Sequence, residues 1–144
     1  MRLSYIISTF FYLGRIKLAP GTITSLVTLL IWFYAVPENY LIRLFTLLFI
    51  TGIGFLSINI IIPSFTEKDP QCIVIDEVVG MSIPLFFIFG DLSLAFFSFI
   101  LFRIFDILKP SIIYYIQYIK EPYGIMMDDI LSGIITALII VNYL

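Results

Sequence analysis

The chain has 144 residues, of which 61% are hydrophobic and 12% are charged, and its formal net charge is −2. This composition, with a mean hydropathy of +1.11, excludes an ordinary soluble protein and is typical of one membrane-embedded domain over residues 1–144. The lack of a basic run excludes nucleic-acid binding, and the lack of histidine excludes histidine-based catalytic triads and histidine-ligated zinc.

The first apolar segment, residues 3–13, ends at Gly14 and Arg15 without the small-residue pattern of a signal-peptide cleavage site. A helix of this length spans roughly 17 Å, which is too short for a hydrocarbon core of about 30 Å. We therefore expect an interfacial or packed helix here rather than a signal peptide.

Five longer apolar stretches follow, separated by breaks in which proline, glycine and charged residues coincide. They cover residues 22–36, 41–62, 73–89, 92–108 and 125–144. Several are only just long enough to cross a membrane, so short, tilted or partly re-entrant helices are expected. A tyrosine-rich piece at 112–119 predicts a further interfacial helix. The predicted fold is an all-α polytopic membrane bundle with about five hydrophobic helices plus interfacial helices.

The distribution of basic residues predicts the orientation of this bundle. If the N-terminus is cytoplasmic and each stretch crosses, six basic residues lie on the cytoplasmic side and Arg43 lies on the other. The six are Arg2, Arg15, Lys17, Lys68, Lys109 and Lys120. This asymmetry agrees with the positive-inside rule. The same topology brings three charged stretches and the loop at 14–25 to the cytoplasmic face, where we predict a pocket at headgroup depth.

Two pairs of adjacent carboxylates, Asp76-Glu77 and Asp128-Asp129, lie among apolar residues near predicted helix starts. Adjacent carboxylates repel each other unless a cation lies between them. Ligation by oxygen alone, without histidine, favours Mg²⁺ or Mn²⁺ over zinc. The alternative interpretation is that these acids only cap their helices.

Arg103, Asp106 and Lys109 have the i, i+3, i+6 spacing that places three side chains on one side of a helix. One interpretation is an Arg-Asp pair that neutralises itself in lipid while Lys109 reaches the interface. The other is functional, with Arg103 and Lys109 binding phosphate and Asp106 binding metal or acting as a base.

A cation, a turn and several hydroxyls precede the second predicted helix, between Lys17 and Ser25. Helix N-termini bind anions through their free N–H groups, so Lys17, Gly21 and Thr22 are candidate phosphate ligands. An ordinary turn with an N-cap explains the same residues.

Taken together, these motifs resemble the phosphatidylglycerophosphatase A family of bacterial membrane lipid phosphatases. The matching residues are Lys17 with Ala19-Pro20-Gly21-Thr22, Asp69-Pro70 before residues 73–81, Arg103, Asp106 and Lys109-Pro110, and Gly124 through Asp128-Asp129 with Gly133. Thr24, Ile112 and Ser132 depart from the usual family residues, but none of these departures removes a charged group.

The resemblance implies Mg²⁺-dependent hydrolysis of phosphatidylglycerophosphate to phosphatidylglycerol and inorganic phosphate, in glycerophospholipid biosynthesis at the bacterial inner membrane. The active site is then expected on the cytoplasmic side of a multi-pass protein. We hypothesise that Asp76, Asp128 and Asp129 bind metal and that Glu77 is a ligand or supports one. Asp106 would then be a further ligand or the general base, and attack by an aspartate on phosphorus is left open.

Two other functions fit some of the same features. A small ion- or proton-coupled transporter would use the intramembrane carboxylates, although transport sites usually lie near the midplane and these charges are predicted at one face. A lipid-headgroup transferase also uses clustered aspartates and Mg²⁺, but it needs a nucleotide-binding pocket for which the sequence has no motif.

Overall fold

The computed structural model describes residues 1–66, 70–110, 112–116 and 119–143, and within these ranges the chain forms helices and turns with no β-strand. The all-α prediction is confirmed. The helices are α1 (Arg2–Ser8), α2 (Pro20–Tyr34), α3 (Tyr40–Ile61), α4 (Ile75–Leu85), α5 (Leu92–Leu108), α6 (Ile112–Ile116) and α7 (Tyr123–Val141).

The starts of α2, α3 and α5 have residues whose chemistry suits a helix start. Pro20 opens α2, where its missing N–H costs nothing. The side chain of Asn39 accepts hydrogen bonds from the N–H groups of Leu41 and Ile42, at 2.9 and 3.2 Å. Asp91 accepts one from Leu94 N–H at 2.9 Å. These caps satisfy N–H groups that have no partner inside the helix, and they lie at the predicted breaks.

Within the described ranges, two helices have the length and composition to cross a membrane. They are α3, with the 3₁₀ turn that follows it to Ser64, and α7. In contrast, the 11 residues of α4 span roughly 17 Å and the 15 of α2 roughly 23 Å. Both lengths fall short of a hydrocarbon core of about 30 Å. Short helices were expected, but a bundle in which five segments each cross is not confirmed.

Arg43 explains why α4 ends within a longer apolar stretch. Its side chain is 2% exposed and donates hydrogen bonds to the carbonyls of Leu85 at 3.0 Å and Phe86 at 3.4 Å, and to that of Ile88. Its guanidinium also lies 4.1 Å from the ring centre of Phe89. The Leu85 carbonyl, the last of α4, also accepts a hydrogen bond from Ile88 N–H at 3.2 Å, whereas Phe86 and Ile88 lie in the turn beyond the helix. Arg43 thus supplies donors to the end of α4 and to the turn that follows it, so the helix can end inside the protein.

The helix at the centre of the bundle is α4, which packs against α2, α3, α5 and, most extensively, α7. It meets α7 at Gly80 and Gly133. A Cβ atom on Gly80 would lie 2.6 Å from the Asp129 carbonyl oxygen, and one on Gly133 would overlap the Gly80 carbonyl oxygen. The missing side chains therefore let the two backbones touch, one helical turn from Asp76 and Asp129.

Both predicted interfacial segments contain a short helix, and the first of these helices is shorter than expected. The segment at 3–13 forms α1 only as far as Ser8, because Phe10, Phe11 and Tyr12 all have positive φ angles, which end the helix. The segment at 112–119 forms α6 over Ile112–Ile116. Some residues of the predicted segments and motifs lie outside the described ranges. They are Lys68, Asp69 and residues 117, 118 and 144.

Candidate active site

A cavity of about 420 Å³ lies at one end of the bundle, where α2 and α4 begin and α5 ends, beside the second turn of α7. Every residue predicted for the site lines this cavity. These residues are Lys17, Gly21, Thr22, Asp76, Glu77, Arg103, Asp106, Lys109, Asp128 and Asp129. The structure thus brings together four regions that are far apart in sequence, and the roles of the residues stay predictions.

Three carboxylates converge on the inner side of the cavity. Asp76, Glu77 and Asp129 each offer one oxygen, and these oxygens lie within 4.8 Å of one another. Asp76 and Asp129 are only 7% and 3% exposed. Carboxylates this close and this buried repel one another strongly unless a cation is bound between them.

The surroundings of Glu77 would also suit a bound cation. Its Oε2 atom is buried and has no hydrogen-bond partner within the part of the chain that the structure describes. A buried carboxylate oxygen without a donor is unfavourable, and a metal ion would satisfy it. The all-oxygen donor set fits a hard divalent cation such as Mg²⁺.

Asp128, the fourth predicted metal ligand, lies outside this three-carboxylate cluster. Its Oδ2 atom is 2.5 Å from the ammonium of Lys109, and its Oδ1 accepts a hydrogen bond from the N–H of Asp129 at 3.1 Å. Burial acts to lower the pKa of Lys109, but the hydrogen bond and charge of Asp128, followed by the charges of Asp129 and Asp106, raise it to about 12. A predicted metal ligand and a predicted phosphate ligand are therefore bound to each other.

Arg103 and Asp106 also form an ion pair, with Nη1 2.6 Å from Oδ2. The intrahelical pairing considered from the sequence is thus present. It does not exclude phosphate binding, since a guanidinium carries five N–H donors. Arg103 Nη1 also lies 3.4 Å from Ser25 Oγ, and its buried Nε has no hydrogen-bond partner in the described ranges.

Gly21 holds the start of α2 against this site. A Cβ atom on Gly21 would overlap Glu77 Oε1 and lie 3.2 Å from Arg103 Nη1. Gly21 and Thr22 lie in the first turn of α2, where N–H groups lack partners inside the helix and can bind an anion. Lys17 is exposed at the cavity's edge.

Sequence reasoning missed Gln71, which lines the cavity from the turn before α4. A single glutamine in a turn has no pattern that would identify it. Its amide adds a neutral donor to a cavity whose other polar side chains are mostly charged. The cavity as a whole combines a carboxylate cluster with cationic groups, an arrangement that suits a phosphate monoester bound together with a divalent metal.

Comparison with known proteins places the chain in a family. A family model described as phosphatidylglycerophosphatase A matches residues 6–143. A Bacteroides thetaiotaomicron protein with the provisional name phosphatidylinositol-3-phosphatase is 33% identical over 146 residues, covering 96% of this chain and 91% of that protein. The phosphatidylglycerophosphatase A of Escherichia coli is 31% identical over 131 residues, covering 86% of this chain and 73% of that protein. No solved structure matches the chain.

Proposed function

Because the chain belongs to the phosphatidylglycerophosphatase A family of phosphoric monoester hydrolases, we propose that it hydrolyses phosphatidylglycerophosphate to phosphatidylglycerol and inorganic phosphate in a Mg²⁺-dependent reaction. The observation that carries this proposal is the cavity in which Asp76, Glu77 and Asp129 converge opposite Arg103. The product would enter glycerophospholipid biosynthesis.

The metal would be held by Asp76, Glu77 and Asp129, whose oxygens are already close together. Bound Mg²⁺ supplies positive charge that stabilises the transition state of phosphoryl transfer. Asp128 then has a separate role, because its Oδ2 is bound to Lys109. This pair fixes both side chains at the edge of the metal site and keeps a positive charge beside the phosphate.

Arg103 and the N-terminus of α2 would bind the phosphate oxygens, with Lys17 adding charge at the cavity's edge. Asp106, oriented by Arg103 at 2.6 Å, takes a proton from the attacking water as the new P–O bond forms. The ester P–O bond breaks, and the departing alkoxide takes up that proton. Each group in this sequence lines the same cavity.

The membrane arrangement we propose is multi-pass, in the bacterial inner membrane, with the cavity open to the cytoplasm. Lys17 and Lys109 lie at the cavity end of the bundle, whereas Arg43 lies at the far end of α4. This placement supports the orientation predicted from the positive-inside rule. It also supports hydrolysis over ion transport, because the carboxylates gather at one end of the bundle rather than midway along it.

The test is phosphate release by the purified protein from a panel of lipid phosphates, with Mg²⁺ and with a chelator. The panel includes phosphatidylinositol 3-phosphate, because of the name of the Bacteroides relative. We expect release from phosphatidylglycerophosphate that needs Mg²⁺ and falls by about 100-fold or more in Asp76→Asn and Asp129→Asn.

Glu38→Gln is the matched control, because Glu38 is an exposed carboxylate in the loop between α2 and α3. It should keep wild-type activity. Release that persists in the chelator would exclude the metal site, and release only from phosphatidylinositol 3-phosphate would replace the substrate.

A further inference from the structure

A shallow, open groove adjoins the active-site cavity on the exposed side of α5. Its volume is about 390 Å³, and it is formed by α5 residues between Phe99 and Leu108 together with Thr22 of α2. Thr22, Arg103 and Ile107 line both the groove and the cavity. The two spaces therefore adjoin each other at these residues.

The groove is polar at one end only. Away from Thr22 and Arg103 its wall is apolar, and it includes Ile100 and Ile104, which are 54% and 43% exposed. From Ile107 to Phe99 the helix rises by about 12 Å. A ligand that fits both spaces thus has an anionic group at one end and hydrocarbon at the other.

We propose that this groove binds an acyl chain of the lipid phosphate substrate and delivers its phosphate to the cavity directly from the bilayer. The inference rests on the proposed function, since it requires a lipid phosphate as substrate. The occupant belongs to the substrate because the groove begins at Arg103, the residue assigned to the phosphate.

The benefit of the groove lies in orientation rather than in hydrophobic free energy. The bilayer is as apolar as the groove wall, so a chain gains little by moving from one to the other. A lipid held at both its phosphate and its chain, however, presents the phosphorus atom in a fixed position. Such positioning lowers the entropic part of the reaction barrier. Filling the groove should therefore reduce turnover of long-chain lipids selectively.

Two substitutions fill the groove at different depths. Ile104→Trp blocks it close to the cavity, and Ile100→Trp blocks it one helical turn further out. The measurement is kcat/KM for phosphatidylglycerophosphate with short, medium and long acyl chains in mixed micelles. We expect Ile104→Trp to lower kcat/KM by about 10- to 100-fold for medium and long chains. Ile100→Trp should lower kcat/KM for long chains only.

Leu44→Trp is the matched control, because Leu44 is 41% exposed on α3 and does not line the groove. It should keep the wild-type dependence on chain length. The proposal would be overturned if both groove variants kept the wild-type dependence of kcat/KM on chain length. It would also be overturned if kcat/KM fell as much for short chains as for long ones, which would indicate distortion around Arg103. A change of oligomeric state with unaltered chain dependence would assign the groove to a second copy instead. No release by the wild type from any chain length would mean that the proposed function itself has failed.

Discussion

Gly21→Ala is expected to impair catalysis without loss of stability. The new Cβ atom would overlap Glu77 Oε1, lie 3.0 Å from Glu77 Cδ and lie 3.2 Å from Arg103 Nη1. Since ordinary contacts are near 3.5 Å or more, the Glu77 carboxylate must move by more than about 1 Å. A misplacement of that size at a reacting centre costs about 100-fold in rate, or about 2.7 kcal/mol. Apart from this contact, alanine is no worse a helix former than glycine.

The assay is phosphate release during a Mg²⁺ titration, together with thermal unfolding followed by circular dichroism. We expect kcat/KM to fall by about 100-fold, the half-saturating Mg²⁺ concentration to rise, and the melting temperature to stay at or above the wild-type value. Gly52→Ala is the matched control, because a Cβ at that position of α3 would have no atom within 4 Å apart from those of the adjacent residues and of the helix's own backbone. Wild-type activity and Mg²⁺ response in Gly21→Ala would refute the placement of Glu77 beside the metal.

Lys109→Met should destabilise the protein by about 3 kcal/mol, because it leaves the Asp128 carboxylate buried without its cation. The double variant Lys109→Met/Asp128→Asn should recover part of this lost stability. The folded-state pKa of Lys109 is raised from 10.5 to about 12, so the stabilisation it gives should be complete at neutral pH and disappear as the pH rises through about 12. Denaturant unfolding at several pH values checks both statements, and equal stability of the single and double variants would contradict the first. Arg43→Met should cost about 3 kcal/mol, because it removes the guanidinium that donates to the carbonyls of Leu85, Phe86 and Ile88. At a temperature where the variant is folded its Mg²⁺ requirement should match the wild type, and an altered requirement would mean that Arg43 acts on the site.

The sequence predicted the convergence of the charged residues because convergence depends only on chain reversal. Helices joined by short breaks alternate in direction, so the start of α4, the end of α5 and the start of α7 meet at one end of the bundle. Neither the burial nor the exact length of a helix is needed for this result. The ten candidate residues could therefore be placed around one cavity before the structure was known.

Details that depend on a partner in another helix could not be predicted in the same way. Helical spacing placed Lys109 on the side of Arg103 and Asp106, but Lys109 follows the last residue of α5 and has a φ of 42°. Its side chain binds Asp128 of α7 instead. Likewise, hydropathy could not locate the end of α4, because Arg43 from α3 binds carbonyls at that end and in the turn that follows it. Apolar residues continue beyond Leu85 whether or not the helix does.

The geometry of the carboxylate cluster is set by helix packing rather than by loops. Gly80 follows Asp76 by one turn, and Gly133 follows Asp129 by one turn. At these two glycines the backbones of α4 and α7 touch. Any side chain at either glycine would push the two backbones apart and separate the two aspartates with them. A site built on crossing helices holds its ligands more rigidly than one built on loops. The glycines therefore belong to the function of this protein although they carry no reactive group.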